Sequence, residues 1–325
     1  MPGTNERDLA FLLDVIDWDG TALSLKPDSE IRAQCKAHAD AGLTWVMTGG
    51  LHFEEPATFD LVEGARHICR LLDEYGLRTA SHHTIVPVFA APGEDQSAVQ
   101  DVMRRVVAVC AELGPRSLVF HPGRPAGRHE SGAGINATYE RIVAASSVDA
   151  VIDVARANVR VMGRAAVEHD MFIALENLGR FEPLADLDTV PRLVDAIDEP
   201  NVGYCIDSGH AHAFGTPVTE WLDVAGARLF ETHFHDNHAG GKTAYPQEGL
   251  VESAPSVDEH LPPGFGTIDW RDVIQGLDRI AFAGPVGFEL SGWPGMPLGE
   301  GLAHAVAWWR TLIRMGSPGQ RLTKQ

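Results

Sequence analysis

Val202-Gly203-Tyr204-Cys205-Ile206-Asp207-Ser208-Gly209-His210 reads as an unbroken apolar strand that stops on a carboxylate and offers an imidazole three residues later. A strand that is apolar on both faces belongs in a parallel sheet covered by helices. The same pattern recurs on either side of it. Residues 77–80 run into Ser81-His82-His83, residues 117–120 into His121-Pro122-Gly123, and residues 171–175 into Glu176-Asn177. Residues 229–234 carry His233 and lead to His235-Asp236-Asn237, and residues 286–290 carry Glu289. Residues 43–47 and an opening segment, 9–16, interrupted by Asp14 and Asp17, bring the number of strands to eight. Amphipathic stretches between them read as helices over 29–41, 59–75, 97–113, 148–170, 190–197, 270–280 and 302–315. Asp28-Ser29 and Asp188-Thr189 read as helix starts, and Gly42, Gly76 and Gly114 as left-handed helix ends.

Strands alternating with helices, with no glycine-rich dinucleotide fingerprint behind the first strand, predict a single (β/α)8 barrel of class α/β. One domain is expected over 1–325, with loops at 90–95 and 122–136 and an insertion at about 237–263 on the face where the strands end. The chain of 325 residues carries 26 Lys+Arg against 45 Asp+Glu, a formal charge of −19. That balance argues against a sequence-independent grip on nucleic acid and against anionic membranes. No apolar run approaches a membrane span, and residues 1–8 do not read as a signal peptide. Cys35, Cys69, Cys110 and Cys205 are far apart and sit in apolar patterns, which fits reduced thiols and a cytoplasmic protein.

Six consecutive strands thus end in Glu, Asp or His. A barrel gathers the ends of its strands around one axis, where unpaired carboxylates repel one another. A divalent cation removes that cost. Mixed carboxylate and imidazole donors suit Mn2+ first, with Zn2+, Co2+ or Mg2+ as alternatives.

Phe120-His121-Pro122-Gly123, Leu175-Glu176-Asn177, Cys205 through His210 and Thr232-His233-Phe234-His235-Asp236 together resemble the xylose-isomerase-like TIM-barrel superfamily. Asp258-Glu259-His260, the run from Pro263 to Trp270, and Phe288-Glu289-Leu290 extend the resemblance. The superfamily includes sugar isomerases and epimerases, inosose dehydratases and endonucleases of the endonuclease IV type. Its epimerase pattern implies one metal on Glu176, Asp207, His233 and Glu289, with Glu176 and Glu289 as the acid–base pair and His210 facing substrate. Its endonuclease pattern implies up to three ions in place of one, with further metal or substrate positions at His83 or His82, His121, His210, Asp258 and His260; the spacing from Gly76 favours His83. His52, Trp18 and Trp293 are further candidates for substrate binding.

The implied activity is a metal-dependent isomerase or epimerase acting on a small carbohydrate by proton abstraction beside a carbonyl. A related lyase (inosose-dehydratase-like or cleaving C-glycosides) and an endonuclease IV-like phosphodiester hydrolase are the alternatives, and a non-enzymatic binding module is a third. A homo-oligomer is compatible with all of them. Two departures weigh on the choice. The only obvious cations near the face are Arg124, Arg128 and Lys242. The Arg that epimerases usually carry after the seventh-strand His-x-x-Asp is replaced by His238 and Gly240-Gly241.

Overall fold

Apolar runs become strands and amphipathic stretches become helices in the computed structural model, which describes residues 7–19, 21–53, 57–127, 132–179, 181–238, 258–290 and 296–316. The first half of the chain runs β1 (Leu9–Leu13), β2 (Ile16–Trp18), β3 (Leu23–Leu25), α1 (Asp28–Asp40), β4 (Trp45–His52), α2 (Leu61–Asp73), β5 (Arg78–Ile85), α3 (Ser97–Ala111), β6 (Ser117–Phe120) and α4 (Gly132–Ala145). The second half runs α5 (Val148–Val167), β7 (Phe172–Glu176), α6 (Thr189–Ile197), β8 (Val202–Asp207), α7 (Ser208–Ala213), α8 (Val218–Ala225), β9 (Leu229–His233), α9 (Trp270–Arg279), β10 (Val286–Phe288) and α10 (Leu298–Gly316).

Eight parallel strands pair in the order β10-β1-β4-β5-β6-β7-β8-β9. The two ends of that sheet meet: Phe234 N donates to Gly287 O at 2.9 Å and Glu289 N to Phe234 O at 3.2 Å. The Thr232 hydroxyl adds to this seam, accepting from Gly287 N at 2.9 Å and donating to Gly287 O at 3.2 Å. The sheet is thereby closed as the (β/α)8 barrel read from the sequence. Side chains two apart on a strand share a face, so Ala174 beneath Glu176 and Cys205 beneath Asp207 point into the barrel. With Val119 they form a small cluster separate from the main core between strands and helices, and Ala10, Met47 and Ala80 form another. Glu231, two residues before His233, is buried in the same interior and accepts from the Ser117 hydroxyl at 3.1 Å.

The structure corrects the sequence reading at several places. The opening strand stops at Leu13, because Gln34 clips the Asp14 main chain from both sides, at 3.0 and 2.8 Å. The chain then turns into the antiparallel β2–β3 hairpin, where Lys26 holds Asp14 and Asp17 at 3.2 and 2.6 Å. The expected loop 122–136 contains the start of α4, and α7 and α8 carry too short a pattern to stand out. The start of α6 is tied by Asp186, which accepts from Asp188 N and Thr189 N, and not by Asp188. Gly42, Gly76 and Gly114 do take positive φ at their helix ends. Among the described residues no helix is long and apolar enough to cross a membrane.

Replacing Thr232, which is fully buried, by isosteric valine leaves the Gly287 N–H unpaired inside the seam. We expect Thr232→Val to lower the unfolding free energy by about 1–3 kcal/mol, read as a shift in urea midpoint at unchanged slope.

Candidate metal centre

Ladder register sets the strand-end residues side by side. Glu176 lies opposite Cys205 and Asp207 opposite His233, while Glu289 follows the closing seam. Ligand atoms of Glu176, Asp207, His233 and Glu289 all fall within 4.8 Å of one another. His233 Nδ1 stands 3.3 Å from Glu176 Oε2 and 3.1 Å from Glu289 Oε2. The Glu176 side chain is 1 % exposed and that of Glu289 17 %, so of this pair Glu289 is the one open to the mouth of the barrel.

Two more groups flank this centre. On one side His83 and His121 turn Nε2 toward Glu176 Oε2, at 3.4 and 3.9 Å. On the other, His210, His235, Asp258 and His260 bring four ligand atoms within 4.8 Å of one another. Glu176 belongs to the first flank as well as the centre, and Asp207 Oδ1 reaches the second flank at His235 Nε2, 3.0 Å away.

The three histidines of the second flank are oriented alike. Nδ1 of His210 and of His260 each lies 3.0 Å from a main-chain carbonyl, of Asn177 and Glu289 respectively, and that of His235 lies 3.4 Å from the Asp236 carbonyl. Donation from Nδ1–H fixes the tautomer and presents Nε2. All three Nε2 atoms face Asp258, at 3.2, 2.7 and 3.5 Å for His210, His260 and His235. The His235 and His260 rings stack at 4.1 Å and 11°. A Cβ on Gly209 would come within 1.8 Å of His235 Cε1, so only glycine leaves room for this ring.

Burial by itself would raise Glu176 and Glu289, but the charge of His233 holds both carboxyls well below the usual range. Asp258 is likewise held low against burial by His210, and His260 is pushed up to about 10 against burial by Asp258. Burial drives His83 down to about 4, which leaves its imidazole neutral and its lone pair available. Buried polar atoms almost always have a partner. Here His83 Nε2, Glu176 Oε2, Asp207 Oδ2, His233 Nδ1, His235 Nε2 and Asp258 Oδ1 make no well-aligned hydrogen bond within the protein. Their chemistry is that of divalent-cation ligands. Three oxygens and one nitrogen in the centre suit Mn2+, Mg2+ or Co2+, and three nitrogens and one oxygen in the second flank suit Zn2+.

The remaining sequence candidates divide. His82 hydrogen-bonds Thr48 Oγ1 at 2.9 Å in the barrel wall, so His83 is the neighbour that joins the cluster. Trp18 sits on the hairpin, 57 % exposed. Trp293, Arg128, Lys242 and most of the 237–263 insertion lie outside the described residues, as does the side chain of His52. Arg124 lies 3.9 Å from Glu182. Two participants were given no role from sequence. His235 is signalled by its spacing of two from His233, which keeps it on the inward face. Glu182, 3.2 Å from His121 Nδ1, sits in a loop that carries no such signal.

The family model for xylose isomerase-like TIM barrels matches residues 35–312. The chain belongs to the xylose isomerase-like TIM-barrel family. An uncharacterized protein of Methanocaldococcus jannaschii is 22 % identical over 250 residues, 75 % of this chain and 73 % of that one. Inosose isomerase of Bacillus subtilis is 28 % identical over 121 residues, 36 % of this chain and 39 % of its own length. Among solved structures, an L-ribulose 3-epimerase superposes with a TM-score of 0.67 at 14 % identity, covering 98 % of this chain and all of its own. The IOLI protein with a zinc atom bound superposes at 0.61 and 14 % identity, over 95 % of this chain and 100 % of its own. At such identities the structural likeness is one of fold.

In this member of the family the segment bearing Asp258 and His260 is tethered by Asp236. Its main chain exchanges hydrogen bonds with Leu261 at 2.7 and 3.1 Å. Its buried carboxylate accepts from Asn237 N, Gly264 N, Ile268 N and Trp270 Nε1 at 2.8–3.1 Å. His238 and Glu259 meet at 2.9 Å across the base of the insertion. Asp236→Asn puts an amide N–H where an acceptor is needed. We expect it to cost about 1–3 kcal/mol and to speed hydrogen exchange selectively over 258–270, measured by mass spectrometry.

Proposed function

We propose that the protein is a divalent-metal-dependent isomerase or epimerase of a small polyhydroxylated carbonyl compound, with Glu176, Asp207, His233 and Glu289 as the metal ligands. The observation that carries this reading is the pair of carboxylates, Glu176 and Glu289, which both reach His233 Nδ1, at 3.3 and 3.1 Å. The inosose isomerase relative and the epimerase fold neighbours support the same class. A bound cation would polarise the substrate carbonyl and favour the charge that develops on its oxygen. Glu289, open to the mouth, is the residue placed to take a proton from the carbon beside that carbonyl. In this reading Glu176 would act from the other face of the substrate: return of a proton from there would invert the carbon, whereas return to the neighbouring carbon would move the carbonyl. In this reading His210, whose Nδ1 lies 3.4 Å from Glu176 Oε1, would hydrogen-bond a substrate hydroxyl, and the exposed Trp18 would cover the apolar side of a sugar.

A second reading has its own observation. His83 and His121 on one flank, and His210, His235, Asp258 and His260 on the other, supply ligands for two more ions, as a phosphoester hydrolase with clustered metals requires. Against a nucleic-acid substrate stands the charge of −19.

Proton exchange separates the two. Protein purified without chelator, with metal content measured on every sample, is incubated in deuterated water with a panel of ketoses and inososes. A substrate should gain deuterium at the carbon next to its carbonyl, and Glu289→Gln should slow exchange by at least about 100-fold in samples matched for metal. Removing the metal with chelator should abolish exchange, and adding Mn2+ should restore it. No exchange across the panel, together with metal-dependent cleavage of abasic DNA, would replace the first reading by the second.

A further inference from the structure

The amino ends of the strands, on the face opposite the candidate metal centre, carry a cluster of charge of the other sign. Arg7 and Asp8 lead into β1, residues 42–44 lead into β4, and the end of α10 lies beside both. Between them is a cavity of about 280 Å3 lined by Arg7, Arg310 and Arg314, with Asp8 the one acid on its described wall. Arginines elsewhere on the surface meet carboxylates: Arg66 meets Glu112 at 2.9 Å, and Arg164 meets Glu199 at 2.9 Å. Arg7 does so as well, donating from Nη2 to Asp278 Oδ1 at 2.6 Å. Arg310 and Arg314 have no carboxylate within ion-pair distance among the described residues. They stand one turn apart on α10, where like charges repel. The carbonyl end of the helix offsets Arg314, which lies in its last turn, but not Arg310. Asp8 does not answer them either, since its carboxylate accepts from the Trp45 indole N–H at 3.1 Å. In the same wall the buried Trp309 Nε1–H has no acceptor.

We propose that this cavity binds a small oxyanion, a phosphate or carboxylate group gripped by the Arg310 and Arg314 guanidinium groups, with Arg7 held beside them by Asp278. The planar fork of a guanidinium matches paired oxygens of either group. Arg7, Arg310 and Arg314 against Asp8 and Asp278 leave a local excess of positive charge in a chain whose formal charge is −19. An anion repelled by the rest of the surface is attracted here. Barrel chemistry sits at the carboxyl ends of the strands, so a ligand held at the amino ends is distinct from the substrate. The inference is independent of the reaction catalysed at the other face.

Calorimetric titration of the full-length, metal-loaded protein tests it, with inorganic phosphate and malonate as probes at constant ionic strength. At least one should bind with a dissociation constant of about 1 mM or below, and the tighter of the two tells phosphate from carboxylate chemistry. Arg310→Ala and Arg314→Ala should each weaken that binding by about 10–100-fold. Arg310→Lys, which keeps the charge without the fork, should recover part of the loss. Arg105→Ala, an equal loss of charge at an exposed position of α3, should bind as the wild type does. The bound probe should slow hydrogen exchange at the end of α10 and leave the segments around Glu176 and His233 unchanged. Absence of binding by both probes overturns the proposal. Binding that Arg310→Ala and Arg314→Ala leave intact also overturns it, by placing the anion elsewhere, such as the metal centre. Equal weakening by Arg105→Ala does the same, by reducing the effect to net charge.

Discussion

Eight parallel strands closed on themselves leave the inward side chains at their carboxyl ends nowhere to point but at one another. The closure rests on the β9–β10 seam, a short stretch where Phe234, Gly287 and Glu289 exchange main-chain hydrogen bonds and Thr232 adds a side-chain clasp. Once the ring is shut, parallel register puts Asp207 opposite His233, and the seam brings Glu289 round to the same imidazole. Beneath the mouth the barrel is filled by small or slender side chains such as Ala174 and Cys205.

Such a ring of carboxylates would be unstable if nothing answered its charge. His233 answers it at the centre, and four of the five imidazoles around it have a group set behind Nδ1. Carbonyls of Asn177, Asp236 and Glu289 hold three of them by Nδ1, and a buried carboxylate stands behind a fourth. Glu289 thus serves twice, its side chain in the centre and its carbonyl behind His260. Asp236 shows the same economy with the backbone: placed just past β9, its carboxylate satisfies four donors, at Asn237, Gly264, Ile268 and the α9 residue Trp270, and its main chain pairs with Leu261 beside Asp258 and His260. Glu176 Oε2, Asp207 Oδ2, His235 Nε2 and Asp258 Oδ1, buried and without aligned partners, lie among these supports.

Much of this was legible in the linear chain because strand burial and strand end are local properties. An apolar run that stops on Glu176, Asp207 or Glu289 already says that the side chain leaves a buried strand at its rim. What it does not say is where one strand ends and a new element begins. Asp14 and Asp17 looked like interruptions of a strand, yet they are the turn and first strand of a separate hairpin held by Lys26 and Gln34. Helix α4 was hidden in a stretch that its glycines made look like loop, and α7 depends on Asp207, which accepts from His210 N at 2.7 Å. Between His82 and His83 the spacing from Gly76 gave only a preference, because neighbours on a strand face opposite sides and the barrel decides which side is inward.

By itself, the sequence determined the class of fold and the donor chemistry at the strand ends: alternation of period set the β/α order, and the residue at each strand end set the donor type. Tertiary structure alone decided how those donors are grouped. Glu176 is shared between the centre and the His83–His121 flank. His235 joins His210, Asp258 and His260 through the space left by Gly209, and Glu182 reaches His121 across the contact of Gly123 with Pro183. Each of these relations joins residues far apart in the chain, through ring closure and loop packing whose distances no local pattern encodes. The rim of a barrel can be read one strand at a time, but its centre exists only when all eight strands are in place.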